Sequence, residues 1–354
     1  MALSSEEVLQ QRSIRAAVFL GPNRVEVLDR PVPQLATRSD VLIAVEACGI
    51  CGTDLHLLSD PPRHPATPGV VLGHEIVGRV VEVGSETVGI PVGERVVVAP
   101  NTWCGSCQMC RAGVLSACLH SSTIGIFRDG GLADVASVPE RACHPISKHL
   151  PAQIAALTEP LSCVMNGLHR ARPLPGEVAV IYGAGAIGLL FLAVLRSAGV
   201  RCIVVEPAQL RRATAASMGA LGVVHPDPAE VSAAVRAYSP EGADLAVDAV
   251  GNQVAAAIRD TRPRGRILLF GMDSGAKAEI EQYDLTRREL VIAGTYVGAF
   301  SFPAAVRLQE AGLLDLSPIV THWLGLERVG EAINALRSGA AAKAVLYPTG
   351  RLSG

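Results

Sequence analysis

Apolar positions along this chain change rhythm near residue 150. Before that point, short apolar or alternating runs at 14–19, 25–28, 41–46, 77–83 and 95–99 are separated by Gly, Pro and Asn. Short runs with dense turn signals predict a β-rich, barrel-like unit. From 151 to 170 the spacing is helical. From 178 to about 295 continuous apolar runs at 178–182, 202–205, 245–249, 266–270 and 290–293 alternate with helical stretches. Strands this apolar are buried on both faces, so they belong in a parallel sheet covered by helices. The expectation is a doubly wound α/β domain. Residues 303–312 and 326–338 read as helices, and 344–347 as a strand returning to the first unit. Residues 1–12 form a polar extension.

The most informative run is Val178 to Gly188, Val-Ala-Val-Ile-Tyr-Gly-Ala-Gly-Ala-Ile-Gly. Gly183, Gly185 and Gly188 fit G-x-G-x-x-G between a β-branched strand and an apolar helix. That context distinguishes a dinucleotide site from an ordinary turn: one glycine turns the chain, one admits a pyrophosphate, one lets helix and strand approach. The helix N-terminus offers free N–H groups to the phosphates. The next strand ends in Glu206, about twenty residues on, where an acidic residue meets a ribose 2′-OH.

Composition narrows the class. The chain has 354 residues, 49% of them hydrophobic, and a net charge of −2. That length allows about two domains, and the charge points to neither nucleic acid nor an anionic membrane surface. The first twenty residues carry no long apolar run, so no signal peptide or membrane span is expected, and the expected location is cytoplasmic. Nine cysteines is an odd number, and four of them cluster. In such a chain that pattern reads as metal binding rather than disulfides.

Cys104, Cys107, Cys110 and Cys118 form C-x2-C-x2-C-x7-C. Four thiolates in one short loop close a tetrahedron around zinc and leave no open position, so this site is expected to be structural. An iron–sulfur cluster fits less well, because the fourth Cys is distant and no Pro follows it. A second constellation joins Cys51, His74, Glu75 and, far along the chain, Glu159. Thiolate, imidazole and carboxylate together suit zinc with one position open to substrate. Spacing alone does not bring them together.

Taken with these motifs, the chain resembles the zinc-dependent medium-chain dehydrogenase/reductases, in their polyol (sorbitol-type) branch. The resemblance rests on Gly49-Ile-Cys51-Gly-Thr-Asp54, Gly73-His-Glu75, the four-Cys lobe, Glu159-Pro-Leu161 and the Gly-rich turn. It implies a GroES-like catalytic domain, 13–160 with 297–354, and a Rossmann domain, 161–296, with the active site between them. It makes Cys51 and His74 ligands of a catalytic zinc, with Glu159 or Glu75 as the third. Cys163 is read as core packing. Thr53 matches the hydroxyl that shuttles the alcohol proton, and His56 the outer member of that relay. Gly183, Gly185, Ile187, Gly188, Glu206 and Arg211 match the dinucleotide contacts, Arg211 lying along the adenine or pairing with Glu206. Arg211 and Arg212, five and six residues past Glu206, are also rival holders of a 2′-phosphate.

The implied function is hydride transfer between NAD(H) and a secondary alcohol or ketone, with two zinc ions per chain, in a homodimer or homotetramer. The substrate is expected to be a polyol, cyclitol or sugar-like molecule. A simple alcohol or threonine-type dehydrogenase is the enzymatic alternative, and a non-catalytic dinucleotide-binding sensor the other. One departure bears on substrate. Where the sorbitol-type enzymes carry an Arg-Tyr pair, this chain has Val297 and Gly298. A cyclic or furanose-type alcohol is therefore expected to outrank open-chain hexitols. Arg128 reads as a loop residue open to solvent.

Overall fold

The computed structural model describes residues 12–348. All but the last residue of the expected polar extension, and the end of the expected C-terminal segment, lie outside the described residues. Two sheets organise the rest. Val178–Tyr182 is buried at every position, as its all-apolar sequence requires of a central strand. It lies in a six-stranded parallel sheet ordered Gly222–Val224, Arg201–Val205, Val178–Tyr182, Ala243–Asp248, Thr261–Leu269, Val291–Gly294. The order reverses beside Val178–Tyr182, which opens a crevice at the carboxyl ends of the strands. The helix Ala186–Ser197 packs Leu189, Leu190, Phe191 and Leu192 into the core on one face of this sheet.

The second sheet has seven strands. Its path runs Val320–Gly325, Lys343–Tyr347, Asp40–Ile50, Glu75–Val83, Arg95–Val98, Cys143–Pro145. It is the expected β-rich unit, and it branches at Asp40–Ile50. Asp40–Ile50 is 11 residues long, enough for one edge to pair with both Val135–Pro139 and Lys343–Tyr347 while Glu75–Val83 takes the other. A separate hairpin, Ser13–Gly21 with Arg24–Pro31, covers one face.

The helix Thr158–Ala171 sits at the junction of the two sheets and packs against Phe302–Glu310. That second helix divides its apolar side. Phe302 and Val306 join the core of the seven-stranded unit, while Ala305, with Leu316 and Ile319 beyond it, joins the core of the parallel sheet. Among the described residues no helix is long and apolar enough to cross a membrane.

Candidate active site

Strand pairing creates the centre. Gly49, near the end of Asp40–Ile50, lies opposite Glu75, which opens Glu75–Val83. Cys51 follows the first strand and His74 precedes the second, so this register sets them side by side. One ligand atom each from Cys51, His74 and Glu75 lies within 4.8 Å of the others. Glu159 approaches from the first turn of Thr158–Ala171, buried. It lies outside that 4.8 Å set but within electrostatic reach of His74. Burial raises its carboxyl to about 6, against the pull of the His74 charge.

Glu75 is already paired. Lys343, from the strand Lys343–Tyr347, lies against its carboxylate and also donates to the Ile50 carbonyl at 2.9 Å. Both side chains are almost wholly buried, 2% and 0% exposed. Burial is the largest influence and would lower the Lys343 pKa, but the charge and hydrogen bond of Glu75, with the charges of Cys51 and Glu159, together hold the ammonium above its ordinary value. Asp54 orders the opposite side. One carboxylate oxygen accepts the Cys51 N–H at 2.8 Å. The other stands 3.8 Å from His74 Nδ1, and both atoms are buried without a hydrogen-bond partner. A His oriented through Nδ1 presents Nε2 to a metal. Burial opposes charge on His74, yet Asp54 and Cys51 together push its pKa well above the ordinary value.

Cys163 is not the core-packing residue that sequence suggested. It is one helical turn past Glu159 on the same face, and its thiol donates to Glu159 Oε1 at 3.4 Å. Thr53 Oγ1 accepts from Cys51 Sγ at 3.7 Å. His56, three residues on in the helix Gly52–Leu57, is half-buried; burial, with Arg63 next, lowers its pKa. Arg63 meets Asp273, from the far side of the crevice, at 3.8 Å. Arg128 takes no part in this cluster; it lines a separate cavity of about 400 Å³ with Arg30 and Ser137.

The four lobe cysteines converge. Cys104 and Cys118 sulfurs are 3.6 Å apart, Cys107 and Cys118 3.9 Å, Cys104 and Cys110 4.0 Å. A tetrahedron with zinc–sulfur bonds of about 2.3 Å has edges of about 3.8 Å. Backbone N–H groups of Cys107 and His120 point at Cys104 and Cys118 sulfurs. Donors from Ser106 and Cys107 pull Cys104 down to about 5, favouring a thiolate. All nine cysteines are free thiols. The spacing of these sulfurs and the thiolate–imidazole–carboxylate set around Cys51 both fit zinc.

At the Gly-rich turn, Gly183 has φ +96, and a Cβ on Gly188 would collide with the Gly183 carbonyl. Gly185 caps Ala186–Ser197, and Ile187 in its first turn packs on the core. Glu206 is 3% exposed. Its two oxygens accept the Ala184 N–H at 2.7 Å and the Ala208 N–H at 2.9 Å, which ties the acidic residue to the turn. Arg211 departs from expectation. It neither pairs with Glu206 nor is free to lie along an adenine; its guanidinium donates to the Ala341 carbonyl at 2.7 Å and Leu336 at 3.3 Å. Leu336 lies in the last turn of Val329–Arg337, the negative end of the helix dipole, which attracts a cation. Arg212 donates to the Glu206 carbonyl at 3.0 Å.

Comparison with known proteins resolves the family. Residues 37–148 match the alcohol dehydrogenase GroES-like domain, and residues 186–311 the zinc-binding dehydrogenase domain. The chain is 33% identical to an L-threonine 3-dehydrogenase of Pyrococcus abyssi, covering 90% of this chain and 94% of that one. The chain belongs to the zinc-dependent medium-chain dehydrogenase/reductases. A D-arabinitol dehydrogenase of Uromyces fabae is 29% identical over 94% of this chain and 97% of its own. A putative zinc-binding dehydrogenase from Sinorhizobium meliloti, solved bound to NADP, superposes with a TM-score of 0.89. It is 31% identical, over 96% of this chain and all of that one.

As a member of this family the chain is a zinc-dependent oxidoreductase that uses a nicotinamide dinucleotide on a small-molecule alcohol. Sequence reasoning included Asp54 only as part of the Cys51 motif and gave it no role. Lys343 escaped it, as did Asn166, whose amide meets the loop after Val291–Gly294. Lys343 left a signal, a lone charge in the apolar run from Ala340 to Leu346.

Proposed function

We propose that this dehydrogenase oxidises polyol-, cyclitol- or sugar-like secondary alcohols with NAD(H), or reduces the matching ketones, and that each chain carries two zinc ions. The observation that carries the reading is the Gly49–Glu75 register, which assembles Cys51 and His74 beside Thr53. Cys51, His74 and Glu159 would hold the catalytic ion, and Cys104, Cys107, Cys110 and Cys118 the structural one. Bound zinc supplies Lewis acidity and bound dinucleotide the hydride acceptor. Glu75 stays behind the ligands, its charge met by Lys343. The Asp54 carboxylate, 3.8 Å from Nδ1, favours positive charge on the His74 ring. Thr53 takes the substrate's hydroxyl proton, and His56, whose neutral form is favoured by burial, carries it outward.

NAD(H) is favoured over NADP(H). A 2′-phosphate would bring nearly two negative charges beside the Glu206 carboxylate, and Arg211 is occupied elsewhere. The domain partition we propose is 13–160 with 297–354 around 161–296, the 302–319 stretch packing on both. We also propose a cytoplasmic homodimer or homotetramer; the edge strand Val291–Gly294, with Val291 54% exposed, is open to pairing.

The threonine-type alternative draws on the archaeal relative. Initial rates with NAD against a panel of cyclitols, furanoses, hexitols, simple alcohols and threonine separate the two. Cyclic or furanose alcohols leading the panel supports the reading; sorbitol or threonine leading it by a clear margin overturns it.

A further inference from the structure

The 295–299 loop and the metal cluster both rest on one helix face. Glu159, Ser162, Cys163 and Asn166 occupy positions i, i+3, i+4 and i+7 of Thr158–Ala171, which lie on one side of a helix. Glu159 and Cys163 meet at the cluster. Ser162 and Asn166 instead receive the loop that leaves Val291–Gly294. The Asn166 amide nitrogen stands 2.7 Å from the Val297 carbonyl, 3.3 Å from the Tyr296 carbonyl and 3.3 Å from Thr295 Oγ1. The Gly298 backbone lies so close to Ser162 that a Cβ there would collide with the Ser162 hydroxyl.

This loop is strained. Val297 has φ 50 and Ala299 φ 44. A left-handed backbone is unusual for any residue with a Cβ and most unfavourable for a β-branched one. Such a conformation persists only where its surroundings impose it. Here the imposing contact is visible: the carbonyl of the strained Val297 is the acceptor closest to Asn166. The loop also carries Tyr296 and Phe300, 51% and 68% exposed.

We propose that Asn166 is a positioning residue that clamps the 295–299 wall and so sets which secondary alcohols the centre accepts. A clamp on Val297 and a ligand at Glu159, one rigid helix apart, fix the distance from wall to metal. The bulk at 297 and its absence at 298 then define the shape of the cavity. This rests on the reading of the centre as an alcohol dehydrogenase.

The test compares wild type with Asn166→Asp and Asn166→Ala, all zinc-loaded. Asp keeps the size but removes the donor, and stands in should Ala fail to fold. Two quantities are read: the ratio of kcat/KM for a cyclic against an open-chain secondary alcohol, and amide exchange of residues 295–299 by mass spectrometry. We expect the ratio to change about 10- to 100-fold, the scale of a misplaced reacting group, with exchange at 295–299 faster and zinc content unchanged. Adding Val297→Gly to Asn166→Asp should restore part of the ratio, since glycine adopts the left-handed conformation without a clamp. Folded variants with the wild-type ratio and wild-type exchange overturn the proposal while leaving the dehydrogenase reading intact. A wild type that oxidises no secondary alcohol overturns that reading instead, and the exchange data still decide whether Asn166 holds the loop.

Discussion

The Lys343 ammonium lies against the Glu75 carboxylate, 2.5 Å from Oε1, with both side chains buried behind the Cys51–His74 cluster. The two residues are 268 positions apart in the chain. Lys343 belongs to the C-terminal strand and Glu75 to the fourth, so the pair fastens the return of the chain to the catalytic sheet at its most sensitive point.

Breaking one half of a buried pair leaves an uncompensated charge, which costs about 3–5 kcal/mol. Lys343→Met should therefore lower stability in urea by that order. Lys343→Met with Glu75→Gln should recover much of it, because the stranded charge is gone. A single variant as stable as wild type would mean that the pair contributes nothing.

Metal analysis separates the two sites. Wild type should hold two zinc ions per chain. Cys51→Ser should retain one, keep its fold and lose turnover. Cys107→Ser should also retain one, but lose solubility or assembly, since the lobe loop is clamped by its metal. One zinc or none in wild type would contradict the assignment.

Zinc affinity of the open site should depend on pH with a definite sign. Glu159, raised to about 6 by burial, and His74, raised well above its ordinary value by Asp54 and Cys51, both hold protons that the metal must displace. Affinity should rise from about pH 6 toward about pH 8 with one to two protons released per ion. Chelator competition across that range checks it; a flat profile is the contrary result.

Cofactor choice follows from Glu206 and Arg211. Steady-state kinetics should show NAD ahead of NADP by at least about tenfold, which needs only about 1.4 kcal/mol. Glu206→Ala should narrow the gap by removing the repelling carboxylate. Because Arg211 is held by Leu336 and Ala341 carbonyls, Arg211→Ala should change the preference little. Parity between the cofactors in wild type would show the strand end misread.

Much of this was legible in the sequence wherever periodicity or motif spacing was strong. The five apolar runs of the Rossmann unit are all strands, and the pattern is cleanest in Val178–Tyr182 and Arg201–Val205, where nearly every position is buried. Gly222–Val224 was not read, being three residues of intermediate exposure at a sheet edge. Val320–Gly325 was also missed, since Thr321, His322 and Trp323 mask its apolar end. The metal cysteines were readable from spacing. The partners of Glu75 and Arg211 were not, because Lys343 and Ala341 reach them only through the fold. Cys163 was misjudged because one helical turn beside Glu159 reads alike for a packed thiol and one facing the centre.

The most direct test of the whole account follows the hydride. Wild-type protein, zinc-loaded, is given NAD and a cyclic secondary alcohol deuterated at the carbinol carbon, and the reduced cofactor is weighed by mass spectrometry. The account predicts deuterium on the nicotinamide, and none with Cys51→Ser. Reduced cofactor without deuterium, or labelling that survives Cys51→Ser undiminished, would contradict it.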